Sequence, residues 1–174
     1  MIDMEKAFKF RIYPNKTQQV LLQKTFGCTR YIYNYFLAKR IELYKQDKSS
    51  MSYNQCSKEL TVLKQELTWL KEPDKDALQK SLKDLDVAYK NFFARPEAGF
   101  PKFKSKHDRH KSYRTSYTNG NIKFLGKKIQ LPKLGKVKTK DKRTQLEGRI
   151  LNATVLQEPN GEYYVSICCT DVPM

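Results

Sequence analysis

The 174-residue chain carries 34 Lys and Arg against 18 Asp and Glu, a formal net charge of +16. A fold needs no such cationic excess, so the surplus points to a polyanionic partner and away from a neutral small-molecule enzyme. No apolar run approaches the length of a membrane span, and Cys28, Cys56, Cys168 and Cys169 form no C-x-x-C pair. No membrane partner, structural zinc or disulfide framework is therefore expected, and scattered thiols fit a reducing, cytoplasmic setting.

Lys6 to Tyr13 alternates, with Phe8, Phe10 and Ile12 set against Lys9, Arg11 and Tyr13. That period of two predicts a half-buried strand with a basic outer face. Pro14-Asn15 ends it, and Asn15 or Thr17 caps a helix through Phe26. Gly27 is expected to break that helix, and a second one runs from about Thr29 to Lys45, an αα pair with the outline of a helix-turn-helix. Arg30, Lys39 and Arg40 are its candidate phosphate contacts, and as solvated helix charges they need no such role. Ser52 stands three residues before Gln55, a capping box opening a helix whose apolar edge is Cys56, Leu60, Leu63 and Leu67. Its first turn presents Tyr53, Asn54 and Ser57, where anions are favoured. Trp69 and Leu70 are expected to pin this helix to the opening one.

Between Glu72 and Phe93, Leu78, Leu82, Leu85, Tyr89 and Phe92 recur with helical period, and Pro73 suits the first turn. Lys75, Gln79, Lys83 and Lys90 occupy the opposite face. Lysine contacts phosphate and guanine acceptors, and glutamine can grip an adenine edge. Residues 15–95 thus predict a bundle of about four helices.

Beyond Phe93 the composition changes. From Arg95 to Arg149 there are 17 Lys and Arg and four Asp and Glu, so this segment alone supplies +13. Gly99 to Lys106 alternates aromatic and basic residues around a proline. It predicts an extended stretch along which Lys102, Lys104 and Lys106 could follow a phosphate backbone. Ser112 to Tyr117 reads as a strand closed by a turn at Thr118-Asn119-Gly120-Asn121. Ile122 to Leu125 and Lys128 to Leu131 read as a hairpin across Gly126. Lys133 to Arg143, with Lys136, Lys138, Lys140 and Lys142, reads as a basic loop lacking the apolar content to fold without a partner. Arg149 to Glu158 and Glu162 to Cys169 form a hairpin around Pro159-Asn160-Gly161. The expected fold class is α+β: a small β-barrel whose first strand (1–14) and remainder (96–174) are split by the inserted helical bundle.

These residues also carry a family resemblance. Lys-Ala-Phe-Lys-Phe-Arg-Ile-Tyr-Pro-Asn at 6–15, Gly-Cys-Thr-Arg-Tyr-Ile-Tyr-Asn-Tyr-Phe-Leu-Ala at 27–38 and Asp-Lys-Asp-Ala-Leu-Gln at 74–79 come first. Gly-Phe-Pro-Lys-Phe-Lys at 99–104 and Leu-Pro-Lys-Leu-Gly at 131–135 continue the series. In this order the chain resembles the N-terminal half of the TnpB (OrfB) family, transposon-encoded RNA-guided DNA nucleases related to type V CRISPR effectors. The resemblance implies a wedge domain, an oligonucleotide-binding-like barrel, split by a helical recognition domain. It implies as partners a guide RNA from the transposon end and double-stranded target DNA, at the nucleoid, with the nuclease half of the family as a further partner. Matching positions for reading a short transposon-adjacent motif are Tyr53, Ser57, Lys75, Gln79, Thr118 and Asn119. For the nucleic-acid backbone the candidates are Lys9, Arg11, Arg30, Lys102, Lys104, Lys106, Lys133, Lys136, Lys138, Lys140, Lys142 and Arg143. The family's RuvC-like nuclease, with its carboxylates and Mg2+, is expected outside these residues, so no catalytic residue, metal ligand or cofactor is expected within them. The competing expectations are a stand-alone helix-turn-helix repressor and an inactive transposon remnant.

Overall fold

A computed structural model describes the backbone of residues 3–143 and 148–173. It divides into two compact units, Met1–Phe26 with Arg109–Met174, and Gly27–Asp108.

In the first unit six strands make one antiparallel sheet. They are β1 (Asp3–Tyr13), β2 (Lys111–Ser116), β3 (Lys123–Leu131), β4 (Gly135–Arg143), β5 (Arg149–Gln157) and β6 (Tyr163–Pro173). Their order is β2-β5-β6-β1-β4-β3. The alternation of β1 appears as expected: Phe10 and Ile12 are buried, while Lys9 and Tyr13 face solvent. β5 and β6 form the predicted hairpin, with Gly161 at φ 89° and Glu158 N–H donating to the Glu162 carbonyl.

β2 and β3 are consecutive in the chain yet lie at opposite edges of the sheet. Laid flat, five strand spacings would separate those edges by about 24 Å. The connection from Ser116 to Lys123 contains a tight turn and reaches about 20 Å at most. The sheet must therefore curl. Consistent with this, Phe124 on β3 meets Phe10 on β1, ring centroids 5.5 Å apart, although β4 runs between the two strands. Curling stops at a half-barrel: β2 and β3 share no ladder pairs among the described residues, so the closed barrel expected from sequence keeps two edges. The connecting turn satisfies its own polar groups. Asn121 Oδ1 accepts from the Thr118 N–H at 2.9 Å, and Asn121 N–H donates to the Thr118 carbonyl at 3.2 Å.

Two local expectations are corrected. The proposed hairpin across Gly126 is a single strand, β3, with a register irregularity between Gly126 and Lys128. Glycine within a strand marks such a bulge more often than a turn. The basic segment 133–143, expected to be an unfolded loop, is largely β4, paired with β3 on one side and β1 on the other. Leu134 is buried at its start, and Val137 and Thr139 are buried between exposed Lys136, Lys138 and Lys140, so these inward side chains and two neighbouring strands order it. Thr139 Oγ1 donates to the Arg11 carbonyl at 2.9 Å, fastening β4 to β1.

The helix α1 (Lys16–Asp47) begins in this unit. Asn15 caps it reciprocally with Gln18: the Gln18 N–H donates to Asn15 Oδ1 at 2.8 Å and the Asn15 N–H to Gln18 Oε1 at 2.9 Å. Gln18 Nε2 donates to the Lys136 carbonyl at 2.7 Å, and Gln23 Nε2 to Tyr163 Oη at 3.0 Å, so the helix start is tied to β4 and β6. Phe26 packs on Tyr113 at 5.7 Å between centroids.

The expected break at Gly27 is absent, and α1 is one helix of 32 residues. A single helical glycine costs about 1 kcal/mol relative to alanine. On either side of it Leu22, Phe26, Cys28, Ile32, Phe36 and Leu37 are buried, a far larger stabilisation. The bundle consequently has three α-helices among the described residues, not about four: α1, α2 (Tyr53–Glu66) and α3 (Lys75–Ala94). The predicted capping box at Ser52 and Gln55 is present. Asp74 caps α3, accepting from the Asp76 N–H at 3.2 Å, which places Pro73 just ahead of the cap and outside the first turn.

Ile32, Phe36, Leu37, Leu60, Leu70, Leu78, Leu82 and Leu85 are fully buried in this second unit. Trp69 meets Tyr31 of α1 edge-on at 5.0 Å, a contact beyond Gly27 and not on the 15–26 stretch expected from sequence. At the rim of this core Arg40 lies 3.5 Å from Asp86, and its guanidinium sits over the Tyr89 ring.

Candidate nucleic-acid interface

The outer face of β4 carries exposed Lys136, Lys138 and Lys140 at alternate positions. Alternate residues on a strand are about 6.7 Å apart, so the three ammonium groups form a row along the strand. Register adds to it. Lys128 is the ladder partner of Lys138 and Gln130 that of Lys136, while Tyr13 flanks Lys138 from β1. None of Lys128, Lys136, Lys138 and Lys140 makes an ion pair with a described residue. Uncompensated like charge on one sheet face is unfavourable alone and favourable against phosphates.

Lys9 and Arg11 share the outer face of β1 but are already partnered. Lys9 Nζ lies 3.1 Å from Glu158 Oε1 and Arg11 Nη1 3.0 Å from Glu162 Oε1. Both cations also sit over the Tyr164 ring. Tyr164 Oη donates to Glu162 Oε2 at 2.6 Å, a bond that holds the Glu162 carboxyl below its ordinary range, with Arg11 adding to the effect.

In the helical unit, four residues from two helices meet. Gln79 Oε1 accepts from Tyr53 Oη at 2.9 Å and from Ser57 Oγ at 3.1 Å, and Lys83 Nζ lies 4.1 Å above the Tyr53 ring. All of Tyr53, Ser57 and Gln79 are half-buried, so the amide is held by its oxygen while its nitrogen has no partner among the described residues. Burial pushes the Tyr53 hydroxyl above its ordinary pKa, helped by Asp76 and Asp86, so it stays a donor. Lys75, exposed at the first position of α3, stands close enough to Lys64 to help depress that ammonium, after burial as the larger cause.

Thr118 and Asn119 are exposed in the turn of the sheet unit, with Asn119 at φ 51° and Gly120 at φ 72°. Two successive positive φ values make a type I′ turn, which the Asn-Gly step favours. Lys102, Lys104 and Lys106 are exposed in the irregular segment after α3. That segment is anchored by Asn34, whose Oδ1 accepts from the Lys104 N–H and whose Nδ2 donates to the Lys104 carbonyl, both at 2.8 Å. Lys104 Nζ itself lies over Tyr33 at 4.3 Å. Arg30 is half-buried on α1, and Lys133 is exposed in the β3–β4 turn. The side chains of Lys142 and Arg143 lie outside the described residues. Sequence reasoning did not single out Lys128, whose importance comes from cross-strand register, or give Lys83 a role at Tyr53.

Among the described residues no group of three His, Cys, Asp or Glu side chains is arranged to hold a metal ion. Among the described residues, too, no helix is long and apolar enough to cross a membrane.

Residues 1–49 match a helix-turn-helix domain family of OrfB proteins from IS605-type elements. The chain is 36% identical over 165 residues to the RNA-guided DNA endonuclease InsQ of Escherichia coli K12, covering 93% of this chain and 40% of that one. It is 32% identical over 175 residues to an RNA-guided DNA endonuclease of Streptomyces pristinaespiralis, covering 98% and 43%. A third relative, virulence protein VsdF of Salmonella dublin, is 33% identical over 114 residues, 60% of this chain and 96% of that protein. The chain thus spans less than half the length of the two endonucleases it matches. With nearly its whole length aligned to them, and its opening 49 residues matching the OrfB domain, the chain belongs to the TnpB/OrfB family.

Proposed function

We propose that this chain is a nucleic-acid-gripping portion of an RNA-guided, transposon-associated DNA endonuclease. The observation that carries the reading is the Lys136–Lys138–Lys140 row with Lys128 beside it, a cationic face with no carboxylate partner among the described residues. In this reading the half-barrel is a wedge domain split by the helical recognition unit, and the row lies along the phosphates of the guide RNA scaffold. Tyr53, Ser57, Lys75 and Gln79 in the helical unit, and Thr118 and Asn119 in the sheet unit, read a short transposon-adjacent motif in duplex DNA. Metal-dependent cleavage belongs to the part of the longer relatives that this chain does not span. The protein then acts on DNA in the cytoplasm, at the nucleoid.

The test compares motif-bearing and scrambled duplexes, with and without transposon-end RNA. RNA-dependent preference for one duplex is expected. Equal affinity for every nucleic acid in every combination removes motif reading. Lysine-to-alanine changes in the row should weaken binding uniformly and make the salt dependence shallower, by about one unit of slope for each phosphate left without its lysine. A repressor acting without RNA is less well supported, because the paired helices it needs at 15–45 are a single helix.

A further inference from the structure

At the end of α3 and in the segment after it, aromatic rings stand exposed among cations. Phe93 is 74% exposed, Phe103 56% and Phe100 43%, unusual values for phenylalanine. Phe93 stacks near-parallel on Tyr89 with 6.3 Å between centroids, and meets Phe92 at a tilt with 5.6 Å between centroids. Phe100 meets Tyr89 and Phe92 edge-on, each at 5.4 Å. The four rings brace one another, and Phe93 keeps most of its surface open. From Phe93 to Lys106 the charged side chains are Arg95, Lys102, Lys104 and Lys106 against Glu97 alone. Arg95, Lys102 and Lys106 make no ion pair with a described residue.

We propose that Phe93, Phe100 and Phe103 form a stacking platform for unpaired bases of a single strand, whose phosphates are met by Arg95, Lys102 and Lys106. An apolar patch meant for a protein partner is expected to carry both charge signs, whereas the segment that bears these rings, 93–106, has four cations and one carboxylate. A single strand offers the matching pair of features, flat apolar bases and a phosphate at every step. Bases within a duplex are already stacked and cannot use these rings, so the platform selects an unpaired region. The inference rests on the nucleic-acid reading above and adds to it a strandedness and a location.

The experiment measures binding of the chain to a short oligothymidylate, to an abasic strand of the same length, and to a duplex. Phe93→Ala and Phe103→Ala are each expected to weaken oligothymidylate binding roughly five- to a hundredfold. Both should leave the abasic strand, the duplex and the salt slope unchanged. Phe93→Leu should lose as much as Phe93→Ala, because the isobutyl group is apolar but offers no flat face. Equal loss on the abasic strand, no loss at all, or full rescue by leucine overturns the platform and favours a protein-docking surface. Phe103 makes no ring contact with a described residue, so Phe103→Ala carries the test if Phe93→Ala disturbs folding. Duplex binding without single-strand binding removes the platform alone. Binding of neither removes the nucleic-acid reading with it.

Discussion

Lys128 on β3 and Lys138 on β4 are direct ladder partners, two exposed cations facing each other across an antiparallel pair. Such opposition is destabilising by about 0.2–1 kcal/mol. Lys128→Glu should therefore raise the melting temperature of the free chain at low salt, and the gain should shrink as salt is added. The same substitution should weaken nucleic-acid binding. A chain that melts lower after Lys128→Glu, or binds nucleic acid as before, would show that this face has no tension for a polyanion to relieve.

Gln79 has its amide oxygen held by Tyr53 Oη and Ser57 Oγ, which leaves the amide nitrogen as the group to present. Gln79→Ala removes the acceptor of two half-buried hydroxyls and should cost about 0.5–1.5 kcal/mol for each. Gln79→Glu restores an acceptor and adds a charge beside Lys83, so the fold should be retained. Motif binding should nonetheless fall by about 1–3 kcal/mol, because the donor is gone and a negative charge meets DNA. Comparing melting temperatures and duplex affinities of the two variants separates the effects. Gln79→Glu binding like the parent chain removes Gln79 from base reading.

How much of this could be read from the chain alone depends on where the determining contacts lie. β1 and the β5–β6 hairpin were legible because apolar alternation and the Pro159-Asn160-Gly161 turn are local signals. β4 was not, because among its described side chains Val137 and Thr139 alone are buried and its order comes from strands distant in sequence. The unbroken α1 was hidden for the same reason: the cost of Gly27 is local, while the compensating burial of Ile32 and Phe36 depends on α2 and α3. At the candidate site, periodicity placed Ser57 and Gln79 on polar helix faces but could not show that those faces meet. Lys128 gained its role only from the strand register.

Arg40 and Asp86 supply a stability test separate from binding. Arg40 is 8% exposed and Asp86 16%, 3.5 Å apart, whereas Lys90, 3.2 Å from the same carboxylate, is 75% exposed. Removing one member of a buried pair leaves its partner uncompensated, so Asp86→Ala should cost about 3–5 kcal/mol. Lys90→Ala should cost at most about 0.5 kcal/mol, as befits a surface pair on one helix. Chemical denaturation of both variants provides the comparison. Similar losses would mean that Arg40 is held by Tyr89 and Cys56, with little help from Asp86.

The Tyr164–Glu162 hydrogen bond should mark the pH profile at both ends. The Glu162 carboxyl is held below its ordinary value of 4.5, first by Tyr164 and then by Arg11 and Asn160. A depressed carboxyl contributes stability that is present above the unfolded pKa and lost as pH falls through the folded one. The Tyr164 hydroxyl is raised above its ordinary 10.0, chiefly by the same bond. Its contribution is complete below the unfolded pKa and is lost as pH rises through the folded one. The melting-temperature difference between the parent chain and Tyr164→Phe should accordingly be level across neutral pH. It should narrow below pH 4.5 and again above pH 10.0. A difference that stays constant through both limits would mean that the hydroxyl and the carboxylate do not share a proton-dependent bond. Arg11 would then be the main partner of Glu162 on this face.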